Sequence, residues 1–439
     1  MKILAIETSC DETGISILSQ DGQRITLLGN ALASQIDLHA QYGGVFPAMA
    51  KRAHAEKIVP LLKDALLQAG VLINKSSVAT SDMALTDTVA SICNREDEMV
   101  SGFVDLFNTY EKPDIDYIAV TVGPGLEPAL WVGINAAKVL SKIWDIPVIP
   151  VNHMEGHVVT AAVIEFQASL EAKQEDHIDA SGERLARTKD QQYGLLVLPP
   201  TKSYLFKELE FPLLALLVSG GHTELVLTKS YGEYEKIGQT RDDAVGEAFD
   251  KVARMIGLPY PGGPAVSKLA REFRLLGIEN KFEFPRPMMH SGDYDFSFSG
   301  LKTAVLYTIR DLVQDPSTTL GTAPVRDLTE AEKQALACAF EDAAIDVLTK
   351  KTMRAIEEFG IQTVVVGGGV SGNTYLKEQL TARVAKKLPG VVVLFPEPWL
   401  ATDNAVMIGL AAFARIQSGS MTIQPAETLK ANGNLSIAQ

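Results

Sequence analysis

Ile3-Leu4-Ala5-Ile6-Glu7-Thr8-Ser9-Cys10-Asp11-Glu12-Thr13-Gly14-Ile15-Ser16-Ile17 lies without a gap over Leu213-Leu214-Ala215-Leu216-Leu217-Val218-Ser219-Gly220-Gly221-His222-Thr223-Glu224-Leu225-Val226-Leu227, at a constant offset of 213 − 3 = 210. Each copy reads as an apolar strand, a tight polar turn centred on serine, and a second strand in which apolar and polar positions alternate. The correspondence continues. The apolar run 115–122 ends in Gly123-Pro124-Gly125, and 361–366 ends in Gly367-Gly368-Gly369. The run 146–151 matches 391–395, with helix-like stretches at 129–144 and 373–387 between the paired strands. A repeat on this scale predicts an α/β protein built of two duplicated lobes that face each other across a central cleft.

The duplication also places a candidate metal site. His153-Met154-Glu155-Gly156-His157 follows the run 146–151, and imidazoles four residues apart share one face of a helix. Asp403 follows the counterpart strand 391–395, so the three side chains leave strand C-terminal ends toward one cleft and form a plausible ligand set. The same histidines could serve only to cap or pack a helix. Glu155 argues against a zinc peptidase of the H-E-x-x-H type, where the base stands one residue after the first histidine. Here it stands two residues after His153, roughly 200° around a helix at about 100° per residue, and points away from the ion.

With 439 residues the chain is longer than one hydrophobic core usually serves, and 46% apolar with 21% charged residues fits a globular protein. The expected divisions are a first lobe over 1–150 with an insertion at 74–113, then a metal-binding helix and flexible insertion over 151–210. A second lobe follows over 211–415 with a helical insertion around 245–350, and a tail over 416–439. The stretch 74–113 is acid-leaning and 167–193 is rich in charge with little periodicity, so both are expected on the surface. No run of about 18 apolar residues occurs, and Met1 leads straight into an apolar strand, so a membrane span is not expected and the cytoplasm is. Cys10, Cys93 and Cys338 are too few and too far apart for a disulfide framework and read as small buried hydrophobes. A net charge of -14 means that binding nucleic acid would need a local basic patch or a basic partner.

Glycine turns at Ser219-Gly220-Gly221, Pro261-Gly262-Gly263-Pro264 and Gly367-Gly368-Gly369 suit the approach of backbone N–H groups to an anion, and together favour a nucleotide site between the lobes. Neither G-x-x-x-x-G-K-[ST] nor an opening G-x-G-x-x-G is present, which argues against Walker-type NTPases and dinucleotide dehydrogenases. Asp250 and Asn373 near these turns suit ribose and base hydrogen bonds, or else a surface charge and a helix cap. Asp11 and Glu12 at the first turn are candidates for orienting a substrate or accepting a proton, although turns also attract Asp for conformational reasons. Lys51-Arg52-Ala53-His54-Ala55-Glu56-Lys57 reads as a solvated helical face or an RNA-facing or partner-facing one.

Seven ordered motifs carry a specific resemblance: Glu7-Thr8-Ser9-Cys10-Asp11-Glu12-Thr13, Tyr42-Gly43-Gly44-Val45, Gly123-Pro124-Gly125-Leu126, His153-Met154-Glu155-Gly156-His157, Val218-Ser219-Gly220-Gly221-His222-Thr223, Asp295-Phe296-Ser297-Phe298-Ser299-Gly300-Leu301-Lys302-Thr303 and Thr402-Asp403-Asn404. The chain resembles the tRNA N6-adenosine threonylcarbamoyltransferases, a family similar to the actin-like and sugar-kinase ATPases. The resemblance implies an acyltransferase of two actin-like lobes that moves the threonylcarbamoyl group from threonylcarbamoyl-adenylate to N6 of adenosine 37 in tRNAs reading codons that begin with A. It implies that His153, His157 and Asp403 bind one divalent metal ion, Fe2+ ahead of Zn2+. Leu217, Val218, Ser219, Gly220, Gly221, Asp250, Gly263 and Asn373 would hold the adenylate, and a paralogous inactive partner and a small ATPase would assist. The insertions and the tail after Ser418 depart from the compact family pattern. A metallopeptidase and a non-catalytic scaffold are the competing classes; the first lacks a base beside the ion, and the second would be expected to lose the metal ligands.

Overall fold

The structure, a computed structural model, describes residues 1–40, 42, 44–76, 83–93, 96–165, 202–207, 209–313 and 326–438. In the first lobe β1 (Lys2–Glu7) pairs antiparallel with β2 (Glu12–Asp21), and β2 with β3 (Arg24–Ser34). On its other side β1 pairs in parallel with β4 (Tyr117–Gly123), and β4 with β5 (Val148–Asn152). Two further strands, β6 (Val163–Glu165) and β7 (Lys202–Phe206), extend the sheet beyond β3.

The second lobe repeats the arrangement with β8 (Leu213–Val218), β9 (Thr223–Ser230), β10 (Glu233–Gln239), β11 (Thr363–Gly367) and β12 (Val392–Leu394). Its order, β10-β9-β8-β11-β12, is the order β3-β2-β1-β4-β5 of the first lobe. Even the register is shared: Ile3 faces Leu18 across the first hairpin and Leu213 faces Thr228 across the second, both shifted by 210. The two lobes read from the sequence are therefore present as duplicated sheets.

Alternation within the central strands explains how the lobes join. Leu4 and Ile6 pack on one face of β1, while Ile3 and Ala5 point to the other. In β8, Leu214, Leu216 and Val218 face the second lobe's own helices, while Leu213, Ala215 and Leu217 face the first lobe. Strands buried on both faces need nearly continuous apolar runs, which is what both copies have.

The outer layer of the first lobe consists of α1 (Ile36–Ala40), α2 (Pro47–Gln68), α3 (Met83–Ile92), α4 (Asp97–Thr109) and α5 (Glu127–Trp144). Helices α3 and α4 form most of the segment 74–113. They lie outside α2 and α5, and they add Val89, Cys93, Met99, Phe103, Leu106 and Phe107 to the buried core. The segment 167–193 lies outside the described residues. Helix α6 (His153–Thr160) follows β5 toward the cleft.

The second lobe carries α7 (Val245–Met255), α8 (Gly262–Leu275), α9 (Ser299–Val313), α10 (Glu330–Phe359) and α11 (Thr374–Lys387), followed by the short α12 (Pro398–Ala401) and α13 (Ala405–Ser418). Helix α13 follows β12 as α6 follows β5. These two repeat-related helices pack on each other between the sheets, in the core that both lobes share. The tail then returns to the first lobe, where Asn432 N–H donates to Val122 O at 2.9 Å and Gly125 N–H to Gly433 O at 3.1 Å. Among the described residues no helix is long and apolar enough to cross a membrane.

Candidate active site

Strand β5 ends at Asn152, whose side-chain oxygen accepts the Met154 N–H at 2.9 Å and so caps α6. The cap fixes His153 on the first turn and His157 one turn later, with ring centroids 4.8 Å apart. Asp403 stands one residue before Asn404, which caps α13 by accepting the Met407 N–H at 3.0 Å. The two repeat-related helix starts thus meet. Asp403 Oδ1 lies 3.1 Å from His157 Nε2 and 3.4 Å from His153 Nε2. All three ligand atoms fall within 4.8 Å of one another.

A buried carboxylate supports the first histidine. Glu7, at the end of β1, accepts the Ser9 N–H at 2.5 Å and the Thr121 hydroxyl at 2.6 Å, and its Oε2 lies 3.2 Å from His153 Nδ1. Donation from Nδ1–H to Glu7 leaves Nε2 with a free lone pair aimed at Asp403, as a metal ligand requires. The buried carboxylates also favour a positive charge at this place, whether a proton or a cation. Burial opposes charge on His153, but Asp403 and Glu7 outweigh it and hold the imidazole well above its ordinary range. Burial likewise opposes charge on Asp403, yet His153 and His157 hold it well below the usual carboxylate range. The cluster favours positive charge, and two imidazole nitrogens with one carboxylate oxygen fit a divalent ion with positions left open.

Asp11 ends the turn after β1 and Glu12 opens β2, close enough to Asp403 for that charge to act on Glu12. Burial first, then Asp11, then Asp403 push Glu12 well above the usual carboxylate range. The Ser34 hydroxyl donates to Glu12 Oε1 at 3.3 Å.

A cavity of about 540 Å3 opens beside this cluster and reaches Thr402, the neighbour of Asp403. Gly220, Asp250, Gly263 and Asn373 line it, as do Lys268 and Arg271 on α8. Asp250 accepts the Gly262 N–H at 2.7 Å, which ties it to the start of α8. Asn373 caps α11 by accepting the Leu376 N–H at 2.8 Å, and its amide donates to Glu341 at 2.7 Å and Ser267 at 2.9 Å. Gly368 brings the chain round at φ 87°, where an added Cβ would lie 2.4 Å from Val218 O. Of the remaining positions expected at a nucleotide, Ser219 and Gly221 sit in the adjoining turn, with the Gly221 N–H on Ser219 Oγ at 3.3 Å. Leu217 and Val218 bury their side chains in the cores on either side of β8 and support that turn from behind.

The sequence profile of the family described as tRNA N6-adenosine threonylcarbamoyltransferase matches residues 26–80, 107–177 and 200–410. The chain belongs to this family. A relative from Nitrosospira multiformis named tRNA N6-adenosine threonylcarbamoyltransferase is 36% identical over 420 residues, covering 95% of this chain and 92% of the relative. Among solved structures, HypF of T. kodakarensis is similar with a TM-score of 0.49 and 11% identity, over 95% of this chain and 48% of that one. Full-length HypF in a phosphate- and nucleotide-bound form gives a TM-score of 0.45 and 12% identity, over 74% and 42%.

In this family member Glu155 points away from the ligand atoms. It accepts the Tyr234 hydroxyl at 2.6 Å and pairs with Arg415 at 2.5 Å. Sequence reasoning missed Glu7, Lys268, Arg271 and His222. Burial, then His153 and His157, push His222, beside the cluster, down to about 4, so it is neutral near pH 7. Glu7 had a usable signal: the repeat puts Leu217 at its place (7 + 210 = 217), so an acid there breaks an apolar strand.

Proposed function

We propose that this chain transfers the threonylcarbamoyl group from threonylcarbamoyl-adenylate to N6 of adenosine 37 in tRNAs that read codons beginning with A. The observation that carries the reading is the junction of two sites. The His153, His157 and Asp403 cluster abuts, through Thr402, a cavity lined by Gly220, Asp250, Gly263 and Asn373.

His153, His157 and Asp403 would hold one divalent ion, Fe2+ ahead of Zn2+, which when bound supplies orientation of the acyl group and offsets charge growing on its oxygens. The chain's own residues do the rest. The N-terminal ends of α8 and α11, with Lys268 and Arg271, offer positive potential to the adenylate phosphate. As the N6–carbon bond forms and the carbon–oxygen bond to AMP breaks, the Asp11 and Glu12 pair accepts the amine proton. Holding amine and carbonyl together in one cleft removes much of the entropic barrier. A paralogous inactive partner and a small ATPase would assist, and the acidic net charge makes a partner's contribution to tRNA docking the more useful. The work would be done in the cytoplasm, beside the tRNA pool.

A peptidase reading lacks its base, because the carboxylate of Glu155 is taken by Arg415 and Tyr234. The deciding experiment mixes purified protein, adenylate donor and unmodified tRNA, then weighs the nucleosides by mass spectrometry. Threonylcarbamoylated adenosine is expected, and none with His153→Ala. No mass gain, even after partners from the same cell are added, would remove the assignment.

A further inference from the structure

A second cavity, of about 420 Å3, opens on the cleft with Ala40 and Tyr42 from the first lobe facing Arg254, Pro259 and Tyr260 from the second. Asp250 lines both this cavity and the one assigned above to the adenylate. The two spaces therefore meet at one side chain. Tyr260 also borders the first-lobe turn: burial, then the charges of Asp11 and Asp250, push its hydroxyl upward. The cavity thus lies among the donor pocket, the carboxylate pair at Asp11 and Glu12, and solvent.

Its first-lobe lip carries two exposed aromatic rings in contact with each other. Tyr42 is 53% exposed and its ring neighbour Phe46 is 48% exposed, with centroids 5.3 Å apart in an edge arrangement. What sets these two apart from other exposed apolar side chains is their place: they offer a paired aromatic surface to whatever enters a polar cleft. A flat ligand with a π face suits Tyr42, and a hydrogen-bonding edge suits Asp250 and Tyr260. Both descriptions fit a nucleobase lifted out of a single-stranded loop, the form in which RNA bases are read and chemically altered. Volume is adequate, since small-molecule sites begin near about 300 Å3.

We propose that this cavity receives the acceptor adenine itself, swung out of the RNA loop and stacked on Tyr42, with its exocyclic amine toward the Asp250 side where the two cavities meet. The assignment rests on the transferase reading above and gives Tyr42 a positioning role. It requires Tyr42 to contribute to RNA binding through the base and not through the phosphate backbone.

The test uses the full chain, with its partners where transfer needs them, and two labelled RNA hairpins of the anticodon stem and loop. One carries adenosine at the acceptor position and the other an abasic site. Tyr42→Ala should weaken binding of the adenosine hairpin by roughly tenfold or more, as loss of one base–aromatic stack does, and leave the abasic hairpin unchanged. Tyr42→Trp should retain affinity. AMP binding should be the same in both variants and the parent. Equal weakening for both hairpins, or none for the adenosine hairpin, would overturn the assignment while the transferase reading stands if the parent still modifies the RNA. Failure of the parent to modify any RNA would bring down both.

Discussion

Glu7 shows how much one buried side chain decides. Both of its oxygens are engaged: the Ser9 N–H, the Thr121 hydroxyl and His153 Nδ1 surround a carboxylate that is wholly buried. A buried carboxylate is costly unless hydrogen-bonded and charged partners compensate it. Glu7→Gln keeps the shape but turns an NH2 toward at least one of those donors and loosens the orientation of His153. Metal affinity is expected to fall about 10- to 100-fold, the usual effect of removing a supporting carboxylate, as read by chelator competition. Unchanged affinity would mean that Glu7 only packs. Glu12 offers a test in pH. Its carboxyl is raised by burial, then Asp11 and Asp403, so it holds its proton to higher pH than a free glutamate and cannot accept another until that proton leaves. Single-turnover transfer by the parent should therefore rise with pH through a midpoint above the ordinary carboxylate value. Glu12→Gln should be slow and lack that rising limb; a parent-like profile in the variant would exclude Glu12 as the acceptor.

At the scale of elements, α10 carries the second lobe's largest packing load, crossing α8 directly behind the cavity. Its start is fixed by a reciprocal cap. Thr329 Oγ1 accepts the Glu332 N–H at 3.3 Å, and Glu332 accepts the Thr329 N–H at 3.0 Å and pairs with Arg326 at 2.7 Å. Thr329→Ala should cost about 1 kcal/mol in denaturant unfolding while leaving metal affinity at α6 unchanged. Loss of metal affinity together with stability would show that this cap and the core shared by the lobes are coupled. The sheets were legible in the sequence because both central hairpins repeat, residue for residue, with the same offset. Helices α3 and α4 were less so. The acid-leaning composition of 74–113 suggested an outlying insertion, yet Met99, Phe103, Leu106 and Phe107 recur at helical spacing and pack inward. That His153, His157 and Asp403 converge was legible because motif and repeat agreed on them. Lys268 and Arg271 were not, because the cavity they line is assembled largely from second-lobe segments far apart in the chain, and the Tyr42 cavity was not, because its walls come from both lobes.

At the scale of the whole molecule, the candidate metal site is a property of the joint between lobes. His153 and His157 ride on α6 and Asp403 immediately precedes α13, so their spacing is the spacing of two packed helices. Gly156 sets that spacing. A Cβ there would lie 2.9 Å from Met407 Cγ and 3.4 Å from Ile408 Cδ1, although glycine within a helix costs up to about 1 kcal/mol relative to alanine. Close approach of α13 is what the missing side chain permits. Gly156→Val puts two more carbons beyond a Cβ that is already too near, and overpacking of this kind costs about 1–3 kcal/mol. The strain has an obvious release in separating α6 from α13, which pulls Asp403 from the histidines. AMP binding should survive, because its cavity is built largely from α8, α11 and the turns of the second lobe. Metal affinity should drop further than for a core substitution of equal thermodynamic cost placed away from this joint. Met407→Ala in the same chain should recover part of it by vacating the contested space. A Gly156→Val protein that keeps full metal affinity, or a double variant that recovers none, would show that the ligands are held by their own turns and not by the packing of the two lobes.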